Sequence, residues 1–391
     1  MAGVYEYIAE FAERSFDEAP FGDADNLLLS QIIYLPLEQV VSPDLDAAPF
    51  PLADAANAYF QMQGCKHRRL GLVLTKQASI NLMRMAQTRR FSALRIVGMQ
   101  WAFQKSPALQ FGAGTFLLPD GTAVIVFRGT DDSVTGWHED LDLYLRRGMQ
   151  SYPLAVQYVR DVAARFPGDL ILCGHSKGGN LALYAALNVE KEIRDRIRIY
   201  YNNEGPGFHN YDLFHGEAYG ELLDRYRHLV PHSSFLGMFL AHDYDYTVVE
   251  NKHHLGPFQH DITFWKIENG KLVTRDEINL LGRFSDVLLS NLVFRLHEED
   301  FPVINEVAER FIDSAKTDSL LHAVRILPVV GGRLLGAWIQ TPKETRDSFR
   351  KALHGITAVT VQTAKKFRRD TVPDYAAAAN MRLRQTIKQE R

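Results

Sequence analysis

The chain has 391 residues, of which 46% are hydrophobic and 23% charged, with a formal net charge of -3. This is the composition of a soluble globular protein large enough to bury a full core without disulfide or metal staples, and it excludes a chain that binds nucleic acid through overall basicity. Two cysteines, Cys65 and Cys173, form no C-x-x-C pair and suit a reducing compartment. No basic, apolar leader opens the sequence and no run of about 18 apolar residues offers a spanning helix, so a cytoplasmic location is expected.

Residues 1–60 read as short helices and loops of acidic character, with an apolar helix beginning near Asn26 behind Asp23 and Asp25. Residues 72–104 alternate helical and loop patterns. From Gly114 the pattern sharpens. Strands over Thr115 to Leu118 and Thr122 to Phe127 flank the turn Pro119-Asp120-Gly121. An amphipathic helix over 152–166 repeats Leu154, Tyr158, Val162 and Phe166 and stops at Pro167-Gly168. Leu170 to Cys173 is a short apolar strand of the kind found inside a parallel sheet. A helix over 179–191, a strand over Ile197 to Tyr201, a helix near 216–227 and a strand over His228 to Val230 follow, with further strands near 245–250 and 262–267. The alternation predicts an α/β fold with a mostly parallel central sheet flanked by helices. From about 276 helix follows helix. Residues 1–275 therefore read as one domain, and residues 276–391 as a helical, basic C-terminal extension whose last 51 residues, 341–391, carry twelve Lys/Arg against five Asp/Glu.

The chemistry-bearing motif is Gly174-His175-Ser176-Lys177-Gly178, a G-x-S-x-G between an apolar strand and a helix. A strand that turns at once into a helix strains its pivot residue and lifts that side chain above the sheet, which is the setting of a nucleophile elbow. Ser176 is the expected nucleophile. The backbone N–H of Lys177, at the helix N-terminus, is an expected oxyanion donor. The Lys177 side chain reads as a surface charge, and His175 as structural, facing away from the pocket. A second oxyanion donor must come from a neighbouring strand end. Phe127-Arg128-Gly129-Thr130-Asp131-Asp132 supplies one, with Thr130 as the donor and Arg128 as a brace through an ion pair.

FRGT on a strand, then Trp137 and Asp140-Leu141, then GHSKGG, resembles the class 3 lipase family of α/β-hydrolases. With Asp23 to Tyr34, Gly205-Pro206-Gly207-Phe208 and Gln259-His260-Asp261, the pattern is similar to a bacterial family of lipase-like proteins, from roughly residue 20 to 270. The resemblance implies an α/β-hydrolase fold and a serine esterase or lipase-like activity that needs no cofactor or metal.

Ester cleavage by serine needs a general base, and histidine suits neutral pH. Eleven histidines follow Ser176. His260 is the expected base because it immediately precedes the apolar segment Ile262-Thr263-Phe264-Trp265; His253 and His254 are its rivals. In class 3 lipases, too, the histidine precedes a short segment ending in Trp. The same family places an Asp after the strand that is here His228 to Val230, where this sequence reads Pro231-His232-Ser233-Ser234. Glu204, one strand earlier, is the expected acid, with Asp243 and Asp245 as alternatives and Asp261 poorly placed. His242, Asp243, Asp245, His253, His254 and His260 match no metal-binding template. The expected partner is a small-molecule ester or lipid, with no nucleic acid; the basic C-terminal helices read first as solvated faces and second as a peripheral membrane contact. Two other readings stand beside hydrolysis: a non-catalytic α/β-hydrolase scaffold, and an acyltransferase or thioesterase using the same serine.

Overall fold

The computed structural model describes residues 3–62, 77–131, 133–144, 148–208, 211–214, 216–234, 236–240, 246–253, 256–280, a few positions between 282 and 310, and 335–369. The strands among these residues are β1 (Phe50–Pro51), β2 (Arg95–Gln104), β3 (Leu109–Leu117), β4 (Ala123–Phe127), β5 (Leu170–His175), β6 (Ile197–Asn203), β7 (Tyr226–Pro231), β8 (Tyr246–Val249), β9 (Ile267–Glu268), β10 (Lys271–Leu272) and β11 (Thr274–Arg275). One sheet takes them in the order β1-β2-β3-β4-β5-β6-β7-β8-β11, and β9 pairs with β10 apart from it. Strands β4 to β8 are mutually parallel. The pairings β1–β2, β2–β3, β3–β4 and β8–β11 are antiparallel. The sheet is therefore a parallel centre with antiparallel margins on both sides.

Helices α1 (Val4–Glu10), α2 (Asp23–Ile32), α3 (Leu52–Gln61), α4 (Gln77–Met85), α5 (Arg89–Ser92), α6 (Val134–Tyr144), α7 (Ser151–Arg165), α8 (Lys177–Asn188), α9 (Lys191–Arg194) and α10 (Glu217–Leu222) clothe it. Strand β4 shows how. Successive strand side chains alternate faces, so Ala123, Ile125 and Phe127 enter one core with Val159 of α7 and Leu181 of α8. Val124 and Val126 enter a second core with Leu27 and Leu28 of α2. The strand order never reverses, so right-handed crossovers set α7, α8 and α10 on the same face. The other face is covered by the N-terminal helices.

Two expectations need correction. Residues 95–104, read as helix and loop, form β2. The ladder with β3 shifts register between Val97 and Gln100, which interrupts the two-residue alternation that marks a strand. The segment Ile262–Phe264, read as strand, is a 3₁₀ turn whose start is capped by Asp261, with Oδ1 accepting from the Thr263 N–H at 2.9 Å. The expected α/β arrangement of a central sheet flanked by helices is present, with a parallel centre over β4 to β8 and antiparallel strands added at its margins. Beyond residue 276 the chain still contacts the sheet: Ile278 packs against Val230 and Val248, and the Asn279 N–H donates to the His232 carbonyl at 2.6 Å. The longest described helix, Lys343–Arg369, buries Ala352, Val359 and Thr363 along one side. No helix among the described residues is long and apolar enough to cross a membrane.

Candidate active site

The carboxyl ends of β4, β5, β6 and β7 form one edge, where ligands of open α/β sheets are bound. At the end of β5, Ser176 has φ 58° and ψ -130°, a conformation rare for a residue with a side chain. Sterics hold it there. A Cβ on Gly174 would overlap the Gly178 backbone, and a Cβ on Gly178 would overlap the Phe127 carbonyl. Only glycine lets α8 start that close to β4 and β5. The Ser176 N–H donates to the Asn203 carbonyl at 3.0 Å, and the Ser176 carbonyl accepts from the Gly179 N–H at 2.9 Å. The pivot is thus tied to β6 on one side and to its own helix on the other.

Glu204 follows β6 directly and also has a positive φ, 51°. Its N–H donates to the Leu229 carbonyl at 2.8 Å, and its side chain is 2% exposed. One carboxylate oxygen accepts from Ser234 Oγ at 3.0 Å, and the other lies 3.2 Å from His260 Nδ1. A carboxylate only accepts, so Nδ1 carries the proton and Nε2 is left as the basic nitrogen. Ser234 stands after β7, where the resemblance placed an Asp. The hydroxyl there braces a carboxylate supplied from the neighbouring strand.

The backbone around His260 is pinned. The Gln259 carbonyl accepts from Trp265 Nε1 at 3.1 Å and from Asn251 Nδ2 at 3.0 Å. The His260 carbonyl lies 2.7 Å from His175 Nε2, and the two imidazoles are 4.4 Å apart between centroids. The other nitrogen of His175 lies 3.0 Å from Tyr34 Oη. Burial pushes the Tyr34 phenol well above its ordinary range, with the Asp140 charge adding to this, so it remains a donor. Burial, with the nearby His260, pushes His175 well below its ordinary value and keeps it neutral. The proton order is then fixed: Tyr34 donates to Nδ1 of His175, whose Nε2–H donates to the His260 carbonyl. His175 joins the serine turn to the loop of the histidine.

On the β4 side, Thr130 Oγ1 donates to Asp140, 2.8 and 2.7 Å from its two oxygens. Burial raises the Asp140 carboxyl to about 6 against the opposing pull of Lys177, the Thr130 hydroxyl and His260. Arg128 pairs with Glu38 at 2.6 Å and donates to the carbonyls of Ile33 and Leu35, so it braces the loop from the N-terminal side. The Lys177 side chain overturns the expectation of a surface charge. It is 1% exposed and its ammonium reaches Glu139 Oε2 at 2.9 Å, the Gln110 carbonyl at 2.7 Å and Gln110 Oε1 at 2.7 Å. Its partners lie 38 and 67 residues upstream, beyond any local pattern.

Over residues 85–304, more than half of the chain, the sequence matches the Mbeg1-like family. The chain belongs to that family. Among solved structures it is similar to the Rhizomucor miehei lipase propeptide complex, at 16% identity with a TM-score of 0.31, covering 52% of this chain and 66% of that one. It thus spans just under two thirds of that lipase chain. It is also similar to a mutant form of MDLA from Penicillium cyclopium, at 12% identity with a TM-score of 0.33, covering 65% of this chain and 86% of that one. A search of curated proteins finds no match.

Within this Mbeg1-like chain, the geometry gathers Ser176, Lys177, Thr130, Glu204 and His260 at the same sheet edge. It does not bring in Asp261, which caps the following turn, or His253, whose ring packs against Phe258 and Phe264. Asp243, Asp245, His242, His254 and Cys65 lie outside the described residues. Among the described residues no group of three or more His, Cys, Asp or Glu is placed to hold a metal ion. Sequence reasoning missed Tyr34, Glu139 and Ser234. Tyr34 had a signal, as the last residue of the segment Asp23 to Tyr34.

Proposed function

We propose that the chain is a serine hydrolase of the α/β-hydrolase kind that cleaves a carboxylic ester through an acyl-enzyme on Ser176. The observation that carries this reading is the contact of His260 Nδ1 with Glu204 Oε2 at the edge where Ser176 stands in a strained turn. Ser176 Oγ attacks the acyl carbon while His260 Nε2 takes its proton. The negative oxygen of the tetrahedral intermediate is held by the backbone N–H groups of Lys177 and Thr130. Glu204 stabilises the imidazolium, which returns the proton to the departing alkoxide. Water, deprotonated by the same ring, then releases the acid and restores the serine.

The preference for a lipid-like ester rests on the resemblance of the FRGT and GHSKGG segments to class 3 lipases. The helix Lys343–Arg369 has eight Lys/Arg against two Asp/Glu in its sequence, which supports peripheral contact with an anionic membrane surface. The buried free thiol of Cys173 suits a cytoplasmic setting.

A fluorophosphonate probe is expected to label the intact chain at Ser176. Ser176→Ala is expected to abolish both labelling and p-nitrophenyl ester turnover while leaving the thermal midpoint within a few degrees. Turnover that survives the substitution would refute the mechanism.

A further inference from the structure

The mechanism uses Lys177 only through its backbone, yet its ammonium is buried beside the serine turn and holds three oxygens. From those contacts two arms run to Thr130. One passes through Gln110 on β3, whose Nε2 donates to the Gly129 carbonyl at 3.4 Å. The other passes through Glu139 on α6, which also accepts from the Gln110 N–H at 3.0 Å and the Ser151 N–H at 2.9 Å. Its chain neighbour Asp140 holds the Thr130 hydroxyl. Every branch is hydrogen-bonded; the contacts of Lys177, Gln110 and Glu139 are buried, and the Asp140–Thr130 end is partly exposed. A buried ion pair of this kind adds little stability over an apolar pair of similar volume; what it adds is fixed geometry between the elements it joins.

We infer that Lys177 is a positioning residue: its side chain, through Glu139 and Gln110, sets the spacing between the serine turn and the Thr130 loop. The two proposed oxyanion donors sit at the two ends of this strut. Such donors act only when aimed at the oxygen as its charge develops, so the strut serves the transition state and not substrate affinity. The inference rests on the proposed serine chemistry.

Two variants test it. Lys177→Met/Glu139→Gln removes both charges together and leaves no lone buried ion. Glu139→Asp keeps both charges and shortens the strut by one carbon. For each folded variant the expected result is a fall of about 10- to 100-fold in kcat and in the rate of fluorophosphonate labelling. KM should stay within about twofold, as uniform binding is untouched. The pH profile of kcat/KM should keep its position, since His260 and Glu204 keep their contacts; a role in general stability would not separate these readouts. Wild-type rates in a variant that melts cooperatively would overturn the inference, as would failure of both variants to fold, which would make the pair a requirement of the fold. A wild-type chain that resists the probe defeats the serine chemistry itself; a reactive wild type with equally reactive variants defeats the strut alone.

Discussion

Glu204→Gln isolates the charge of the proposed acid with little change of shape. The carboxylate oxygen lies 3.2 Å from His260 Nδ1. Unit charges at that separation interact by about 5 kcal/mol at an effective dielectric near 20. The amide oxygen of Gln recovers part of this through its dipole if it faces the ring. That orientation turns the amide N–H₂ toward Ser234 Oγ, which can accept. With the amide reversed, the N–H₂ faces Nδ1 and moves the ring proton to Nε2, where the base is lost. Either way the imidazolium loses its counter-charge, and about 3–4 kcal/mol of transition-state stabilisation should disappear, a fall of about 100- to 1000-fold in kcat. The assay is p-nitrophenyl butyrate hydrolysis by purified protein, with thermal melting as the control for folding. Turnover within threefold of wild type in a folded variant would refute the assignment of Glu204.

Asp140 gives a pH-dependent test. Burial lifts its carboxyl from an ordinary value near 3.8 to about 6. The folded chain therefore holds this proton to higher pH than the unfolded chain, and stability falls as pH rises between those values. The gap is worth about 3 kcal/mol. Asp140→Asn removes the titration, so its unfolding free energy relative to wild type should rise by up to that amount from pH 4 to pH 7 in urea melts. A difference that stays flat across the range would contradict the assignment. Gly178→Ala places a methyl against the Phe127 carbonyl. Forcing β4 from α8 should cost about 1–3 kcal/mol and move Ser176, so activity should fall further than stability; full activity with an unchanged melting temperature would show that the turn has room to spare.

The motif at 174–178 was readable because its physics is local: an apolar strand, a glycine on each side of the pivot, and a helix start fit within a few consecutive residues. The same holds for the alternation of strand and helix from β4 to β7. Strand β2 was not readable, because the register shift between Val97 and Gln100 breaks its period. The segment after His260 misled because Ile262 to Trp265 has strand-like residues while Asp261 turns it into a 3₁₀ coil. Glu204 was chosen from its place at the neighbouring strand end, with Asp243 and Asp245 as alternatives, but its 3.2 Å contact with His260 Nδ1 spans 56 residues and leaves no local signature.

What the linear order of residues determined was each element whose pattern is written in consecutive residues: the glycine-flanked serine turn, the crossover helices and the apolar strands at the centre of the sheet. What folding alone decided was partnership across distance. Glu204 meets a histidine 56 residues away, Arg128 meets Glu38 across 90 residues, and Lys177 leaves solvent for a carboxylate on another helix. A charge costs free energy to bury unless an opposite charge waits for it, and nothing in the residues flanking Lys177 announces that Glu139 is there.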